Sequence, residues 1–220
     1  MPDSLLDRDA TIYHEMMAHI PLFAHRNPEK IAIIDDLDRG IEREVLKHSN
    51  VSRIWQFLLH KQSGDDKNTK IAYCYGNTAE CLIQIVPGSI DVLIINNHHL
   101  QTSFDQYFAL LNSDGILIQQ SDSPFNVLAL KNIQDLLKKA GFSDVQALHF
   151  PQPNFAHGWR AAVMAIKQGM IKRPREKAIF TKAFSTRYYN LDVHKAAFAL
   201  PEFMCRELLS QHTEVIDEQT

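Results

Sequence analysis

The 220 residues suffice for one domain with a substantial core, and 45% hydrophobic against 22% charged residues is the balance of an ordinary soluble globular chain. The net charge of −3 offers no basic face for nucleic acid, and no apolar run approaches the roughly 20 residues of a membrane helix. Three cysteines, Cys74, Cys81 and Cys205, show no metal or redox spacing and are too few for a disulfide framework; with no basic-then-apolar leader at Met1-Pro2-Asp3-Ser4, a reducing cytoplasm is the expected compartment.

In chain order, Asp9 is placed to cap a helix to about Ile20, with Ile12, Met16, Met17 and Ile20 on its apolar side, and Pro21 and Pro28 bracket the loop that follows. Residues 30–34 read as a buried strand, 40–48 as a helix, 54–59 as a second strand, 62–69 as a polar loop and 71–75 as a third strand. A short helix is expected over 78–85, ended by Pro87-Gly88. The almost purely apolar run Ile90 to Ile95 has the pattern of a central parallel strand. A helix over 103–111 is stopped by Asn112-Ser113-Asp114-Gly115, and 116–120 is the next strand. The longest helix runs from Pro124 to Ala140, with Gly141 as its stop. Residues 145–150 and 161–166 form a closing pair of strands, and Pro201 to Ser210 a final helix.

Strands alternating with helices predict an α/β fold, a doubly wound and mostly parallel sheet covered on both faces. One domain over 1–220 is expected: an N-terminal helix and loop over 1–29 and a C-terminal extension over 174–220, joined at Arg173-Pro174-Arg175. The segment Ile33-Ile34-Asp35-Asp36-Leu37-Asp38-Arg39-Gly40 is a strand running into a helix, where such folds place a glycine-rich, cofactor-holding turn. Here aspartates, a leucine and an arginine stand where glycines let a backbone approach a ligand. Asp35, Asp36 and Asp38 either form an anionic pocket or cap the following helix, whose dipole favours carboxylates. His98-His99 lacks acidic or cysteine partners at metal-ligand spacing, and no metal site is expected.

Four segments carry a family resemblance: Ile12-Tyr13-His14-Glu15-Met16-Met17-Ala18-His19-Ile20-Pro21-Leu22; Arg43-Glu44-Val45-Leu46-Lys47-His48; Gln120-Ser121-Asp122-Ser123-Pro124-Phe125; and Arg187-Tyr188-Tyr189-Asn190 through His194 to Pro201. Together they resemble the spermidine synthase (polyamine aminopropyltransferase) family over nearly the whole chain. The resemblance implies a methyltransferase-like (Rossmann-like) sheet of the S-adenosylmethionine-dependent type. It also implies aminopropyl transfer from decarboxylated S-adenosylmethionine, a co-substrate and not a bound cofactor, to putrescine. By the same resemblance Tyr13 and His14 lie where the family contacts the polyamine, Asp38 keeps the acidic position of the glycine turn, and Asn96 holds the position of the proton-accepting acid. Tyr13 as a half-buried helix aromatic and His14 as a packing histidine are the plainer readings of the same residues.

The chain departs from the family at several aligned positions. Leu58 replaces the acid that grips the ribose hydroxyls, and Cys74-Tyr75-Gly76 replaces the acids beside the adenine. Asn96 offers an amide in place of a base, and Pro151 to Trp159 contains no tyrosine. A helix between the second and third strands, the gating loop after Asn96 and a small N-terminal β domain have no counterpart. Two functions follow as expectations: an aminopropyltransferase with a degenerate site acting on putrescine or spermidine, or a non-catalytic relative that binds a polyamine or a partner protein. A homodimer, or a partner chain supplying missing parts, is compatible with both. A methyltransferase, on the shared architecture, is the weaker third. The run 187–190 is expected to be structural, Arg187 pairing with an acid while tyrosine hydroxyls tie down backbone.

Overall fold

The computed structural model describes residues 5–61, 68–96 and 104–209. The strands are β1 (Lys30–Ile34), β2 (Arg53–Leu58), β3 (Ile71–Tyr75), β4 (Ile90–Ile95), β5 (Leu111–Gln120), β6 (Asp144–Pro151) and β7 (Trp159–Ile166). They form one sheet in the order β3-β2-β1-β4-β5-β7-β6, parallel through β5, with β7 antiparallel to both β5 and β6. The doubly wound, mostly parallel sheet is therefore as the sequence predicts. The helices are α1 (Leu5–Ala24), α2 (Gly40–Leu46), α3 (Thr78–Leu82), α4 (Phe104–Leu110), α5 (Val127–Lys139), α6 (Glu176–Phe180), α7 (Leu191–Ala197) and α8 (Glu202–Leu209).

Alternate residues of each central strand feed two cores. Ile31 and Ile33 of β1 join Ile54, Val92, Ile94, Ile116 and Ile118 beneath α1, while Ala32 and Ile34 face the core that contains Leu93, Leu117, Leu130 and Leu137. Each fully buried Ile, Leu or Met side chain contributes about 1.5–3 kcal/mol relative to exposure. Chain order reverses between β1 and β4, and the crevice outside their C-terminal ends is where open α/β sheets bind ligands. No described helix is long and apolar enough to cross a membrane.

Four local expectations are corrected. First, α1 begins before Asp9 and runs through Pro21 to Ala24. Proline costs the helix one hydrogen bond, but Ile20, Leu22, Phe23 and Ala24 are all buried, and their packing overrides it. Second, Asp9 does not cap; its carboxylate accepts from the Asn154 N–H at 2.9 Å and from Gln152 Nε2 at 3.3 Å. Third, Asn112 to Gly115 lie inside β5, because Leu111 already pairs with Ile90 before the register resumes at Ile116 with Val92, so these residues form a bulge. Fourth, Cys74 on β3 and Cys81 on α3 are joined by a disulfide, and Cys205 is free. Their spacing carried no such signal; the chain doubles back at Gly76 (φ +109°) and lays α3 against the strand it has just left. Residues 62–67, His98-His99 and Ser210 lie outside the described residues.

Arg187 to Asn190 is anchored differently from the expectation. The backbone N–H groups of Arg187, Tyr188 and Tyr189 donate to the Glu15 carboxylate at 2.8, 2.9 and 2.7 Å. The Glu15 carboxylate is met here by main chain. The Tyr189 hydroxyl lies 2.8 Å from His194 Nδ1, a side chain and not backbone, and Asn190 caps α7 by accepting from the Val193 N–H. Arg175 donates to the carbonyls of His25 and Leu22, fastening the residues after β7 to the end of α1.

One face of α1 also buries a polar cluster. His19 Nδ1 lies 2.9 Å from His48 Nε2, and His19 Nε2 lies 3.1 Å from Glu44 Oε2, among Phe23, Phe184 and Tyr189. Burial pushes His19 down, holds His48 at about 3 and His194 at about 4.

Two predictions follow from these anchors. Unfolded histidines titrate near 6.5, and a native histidine depressed below that value stabilises the fold fully above it. Stability falls as acid protonates the unfolded chain, by about 1.4 kcal/mol per pH unit for each such histidine. Urea midpoints are expected to be level above about pH 7 and to drop steadily from pH 6.5 to 4.5; a level profile would contradict this account. Glu15→Gln leaves one acceptor oxygen for three donors, one of them buried, and is expected to cost about 2 kcal/mol in urea unfolding; a loss under about 0.5 kcal/mol would show that the carboxylate does not anchor residues 187–189.

Candidate active site

The turn after β1 keeps a glycine-type backbone without the glycines. Asp35 (φ +61°) and Arg39 (φ +59°) both adopt the left-handed conformation, which costs a non-glycine residue about 1–2 kcal/mol. Surrounding contacts hold it there. Leu37 N–H donates to the Asp35 carbonyl, Asn96 Nδ2 donates to the same carbonyl at 3.0 Å, and Gln56 Nε2 donates to the Asp36 carbonyl at 3.3 Å. Arg43 donates to the Asp38 carbonyl at 2.7 Å, and the Arg39 guanidinium lies 4.6 Å from the centre of the Tyr73 ring.

The aspartates divide the two roles the sequence left open. Asp36, fully buried, accepts from the N–H groups of Ile41 at 3.3 Å and Glu42 at 2.8 Å, satisfying the first turn of α2. Asp38, with its side chain 60% exposed, accepts from the Gly40 N–H at 3.0 Å and meets His14 Nε2 at 3.0 Å. The hydrogen bond with His14 holds Asp38 well below the usual carboxylate range, and burial raises Asp36 above its ordinary value. Gly40 must be glycine for a packing reason: a Cβ there would lie 2.1 Å from the His14 ring.

Tyr13, Asn96 and Gln120 come together from α1 and the ends of β4 and β5. The Tyr13 hydroxyl is hydrogen-bonded to Asn96 Oδ1 and Gln120 Oε1. Tyr13 is 6% exposed, more buried than the half-buried helix aromatic of the plainer reading. Burial pushes its phenol up, and nearby Arg160 offsets only part of the effect. Asn96 is occupied at both ends of its amide, by Tyr13 and by the Asp35 carbonyl.

Sequence reasoning had named Tyr13, His14, Asp38 and Asn96; the fold brings all four to the C-terminal ends of β1, β4 and β5. It did not find Arg160, whose guanidinium lies 5.6 Å from the Tyr13 ring centre and 3.5 Å from that of Phe155, and no spacing rule would have pointed there. On the neighbouring side, Leu58 ends β2 with 2% exposure and presents no polar atom. Cys74 is tied up with Cys81, and the Tyr75 ring stacks on Tyr73. His14, Asp36 and Asp38 hold three potential metal donors within 4.8 Å of one another, but the backbone N–H groups and the His14–Asp38 contact already account for their arrangement.

Known proteins share this frame. The model of the spermine/spermidine synthase domain matches residues 10–60, which include Tyr13, His14, the aspartate turn and Leu58. The chain is 38% identical over 224 residues to the polyamine aminopropyltransferase of Methylococcus capsulatus, covering 90% of this chain and 76% of that protein. Against the polyamine aminopropyltransferase of Thioalkalivibrio sulfidiphilus it is 35% identical over 229 residues, covering 93% and 80%. A crystal structure of spermidine synthase in complex with the transition-state analogue AdoDATO superposes with a TM-score of 0.83 at 26% identity, over 92% of this chain and 76% of that one. The spermidine synthase of Thermotoga maritima gives 0.82, also at 26% identity, over 92% and 75%. With relatives 38% and 35% identical over most of both chains, the chain belongs to the polyamine aminopropyltransferase family.

Proposed function

We propose that Asp38 and His14 receive the ammonium end of an aliphatic amine of the putrescine or spermidine type, with Tyr13 lying along the chain. The observation that carries this reading is the Asp38 carboxylate: ionised by its contact with His14, yet largely exposed, while Asp36 and His14 are buried. A solvent-facing carboxylate held at a strand end is suited to a small cation. Contacts of Asp9 with residues 152 and 154, of Glu15 with 187–189 and of Arg175 with α1 support treating residues 1–220 as one functional unit.

The reaction that family membership suggests is aminopropyl transfer. The amine nitrogen attacks the carbon beside the sulfonium of decarboxylated S-adenosylmethionine, the carbon–sulfur bond breaks, methylthioadenosine leaves and the new ammonium sheds a proton. Among the described residues, neither Asn96 nor Tyr13 offers that proton a good acceptor. Asn96 is an amide already bonded at both ends, and Tyr13 is held as a neutral phenol. The Leu58 side chain accepts nothing from a ribose. We read the protein as an amine binder in which transfer is strongly slowed, with amine binding without transfer as the limiting case.

With putrescine and decarboxylated S-adenosylmethionine, methylthioadenosine formation is expected to be about 10²–10⁴-fold slower than for the Methylococcus relative, the usual cost of losing a general base. Asn96→Asp should recover part of that loss. A wild-type rate equal to that of the relative would refute the slowed-transfer reading. Titration calorimetry with spermidine tests the binding claim: Asp38→Asn, and Gly40→Ala through displacement of His14, should each weaken binding about tenfold. Unchanged affinity in both variants would reduce Asp38 to a turn residue.

A further inference from the structure

We propose that Arg160 fixes the other end of the ligand, so that this site prefers an aliphatic chain bearing an ammonium at one end and a carboxylate at the other over a diamine. The inference rests on the reading of Asp38, His14 and Tyr13 as the amine-binding end.

Arg160 is the second residue of β7, beside the end of β5 that supplies Gln120. Its guanidinium is held in one pose. Nε donates to Gln152 Oε1 at 2.7 Å, Nη1 reaches the Ser121 carbonyl at 3.5 Å, and the group stacks over Phe155. Gln152 is itself oriented: its Nε2 donates to Asp9, which turns its oxygen toward Arg160. All these partners are neutral. Among the described residues no carboxylate lies within ion-pair distance of Arg160, although the side chain is partly buried. Burial lowers its pKa, but a guanidinium remains protonated at neutral pH. A partly desolvated, pre-positioned cation with neutral partners favours an anion, and its planar fork matches a carboxylate.

Tyr13 links the two ends. Arg160 lies 5.6 Å from its ring centre; the His14 ring lies 5.9 Å from it and carries the contact to Asp38. Arg160 and Asp38 both act on Tyr13, so a ligand reaching past Tyr13 from Asp38 would meet the guanidinium at its other end. An ammonium placed at the Arg160 end would face a like charge that Asp122 and Asp9 offset only from beyond contact distance, whereas a carboxylate there would be bound by a group already in place.

The test is titration calorimetry on the full chain with two four-carbon probes, putrescine and 4-aminobutyrate. The wild type is expected to bind 4-aminobutyrate at least tenfold more tightly than putrescine. Arg160→Gln should reverse that order, Arg160→Lys, which keeps the charge, should retain the preference with weaker binding, and Asp38→Asn should weaken both ligands. Circular dichroism of each variant separates lost binding from lost folding. Putrescine bound at least as tightly as 4-aminobutyrate, or a ratio unmoved by Arg160→Gln, overturns the proposal and leaves the amine-binding end standing if Asp38→Asn still weakens putrescine. Binding of neither probe, or binding indifferent to Asp38→Asn, overturns both.

Discussion

Three main-chain N–H groups, those of residues 187–189, converge on the carboxylate of Glu15, and this contact sets the rotation of α1. A helix advances 100° per residue, so fixing one side chain fixes the directions of the rest. With Glu15 turned to the C-terminal segment, His19 one turn later enters the aromatic cluster of Phe23, Phe184 and Tyr189. Tyr13 and His14 reach the strand ends, and Asp9 meets the loop that precedes β7. Arg175 fastens the far end of the same helix. The candidate site is thus built on a helix positioned from outside the sheet, as well as on the sheet.

The turn after β1 separates shape from chemistry. A left-handed backbone at Asp35 and Arg39 reproduces what glycine adopts freely, and neighbouring amides and the Tyr73 ring compensate for the strain. Asp36 supplies the helix cap from within the turn itself. The turn therefore holds a left-handed backbone at two positions without glycine and presents the exposed carboxylate of Asp38.

The parallel core was legible because its strands are short apolar runs between polar turns, and Ile90 to Ile95 admits few other readings. Where the sequence misled, competing forces had been weighed in isolation. Pro21 looked like a stop because local preference favoured one, yet the four apolar residues around it belong in the core. Asn112 to Gly115 has the composition of a turn and serves as a bulge, a distinction made only by the partner strand. In the site, residues within recognisable segments, Tyr13, His14, Asp38 and Asn96, could be named. The division of labour between Asp36 and Asp38 could not, because it turns on burial. Arg160 depends on a chain crossing that no local pattern encodes, and the Cys74–Cys81 pair on the chain reversal at Gly76.

The Glu15 contact also orders events in time. It joins positions 172 to 174 residues apart, and the chain is made from its N-terminus. The sheet strands emerge before residue 187 does, so α1 can dock on a growing core but acquires its final rotation only after the partner segment leaves the ribosome. Tyr13 and His14, synthesised well before residue 187, take up their working positions only after it. Until then the Glu15 carboxylate lacks its main-chain donors, and α1 is held by the contacts of Asp9 with residues 152 and 154.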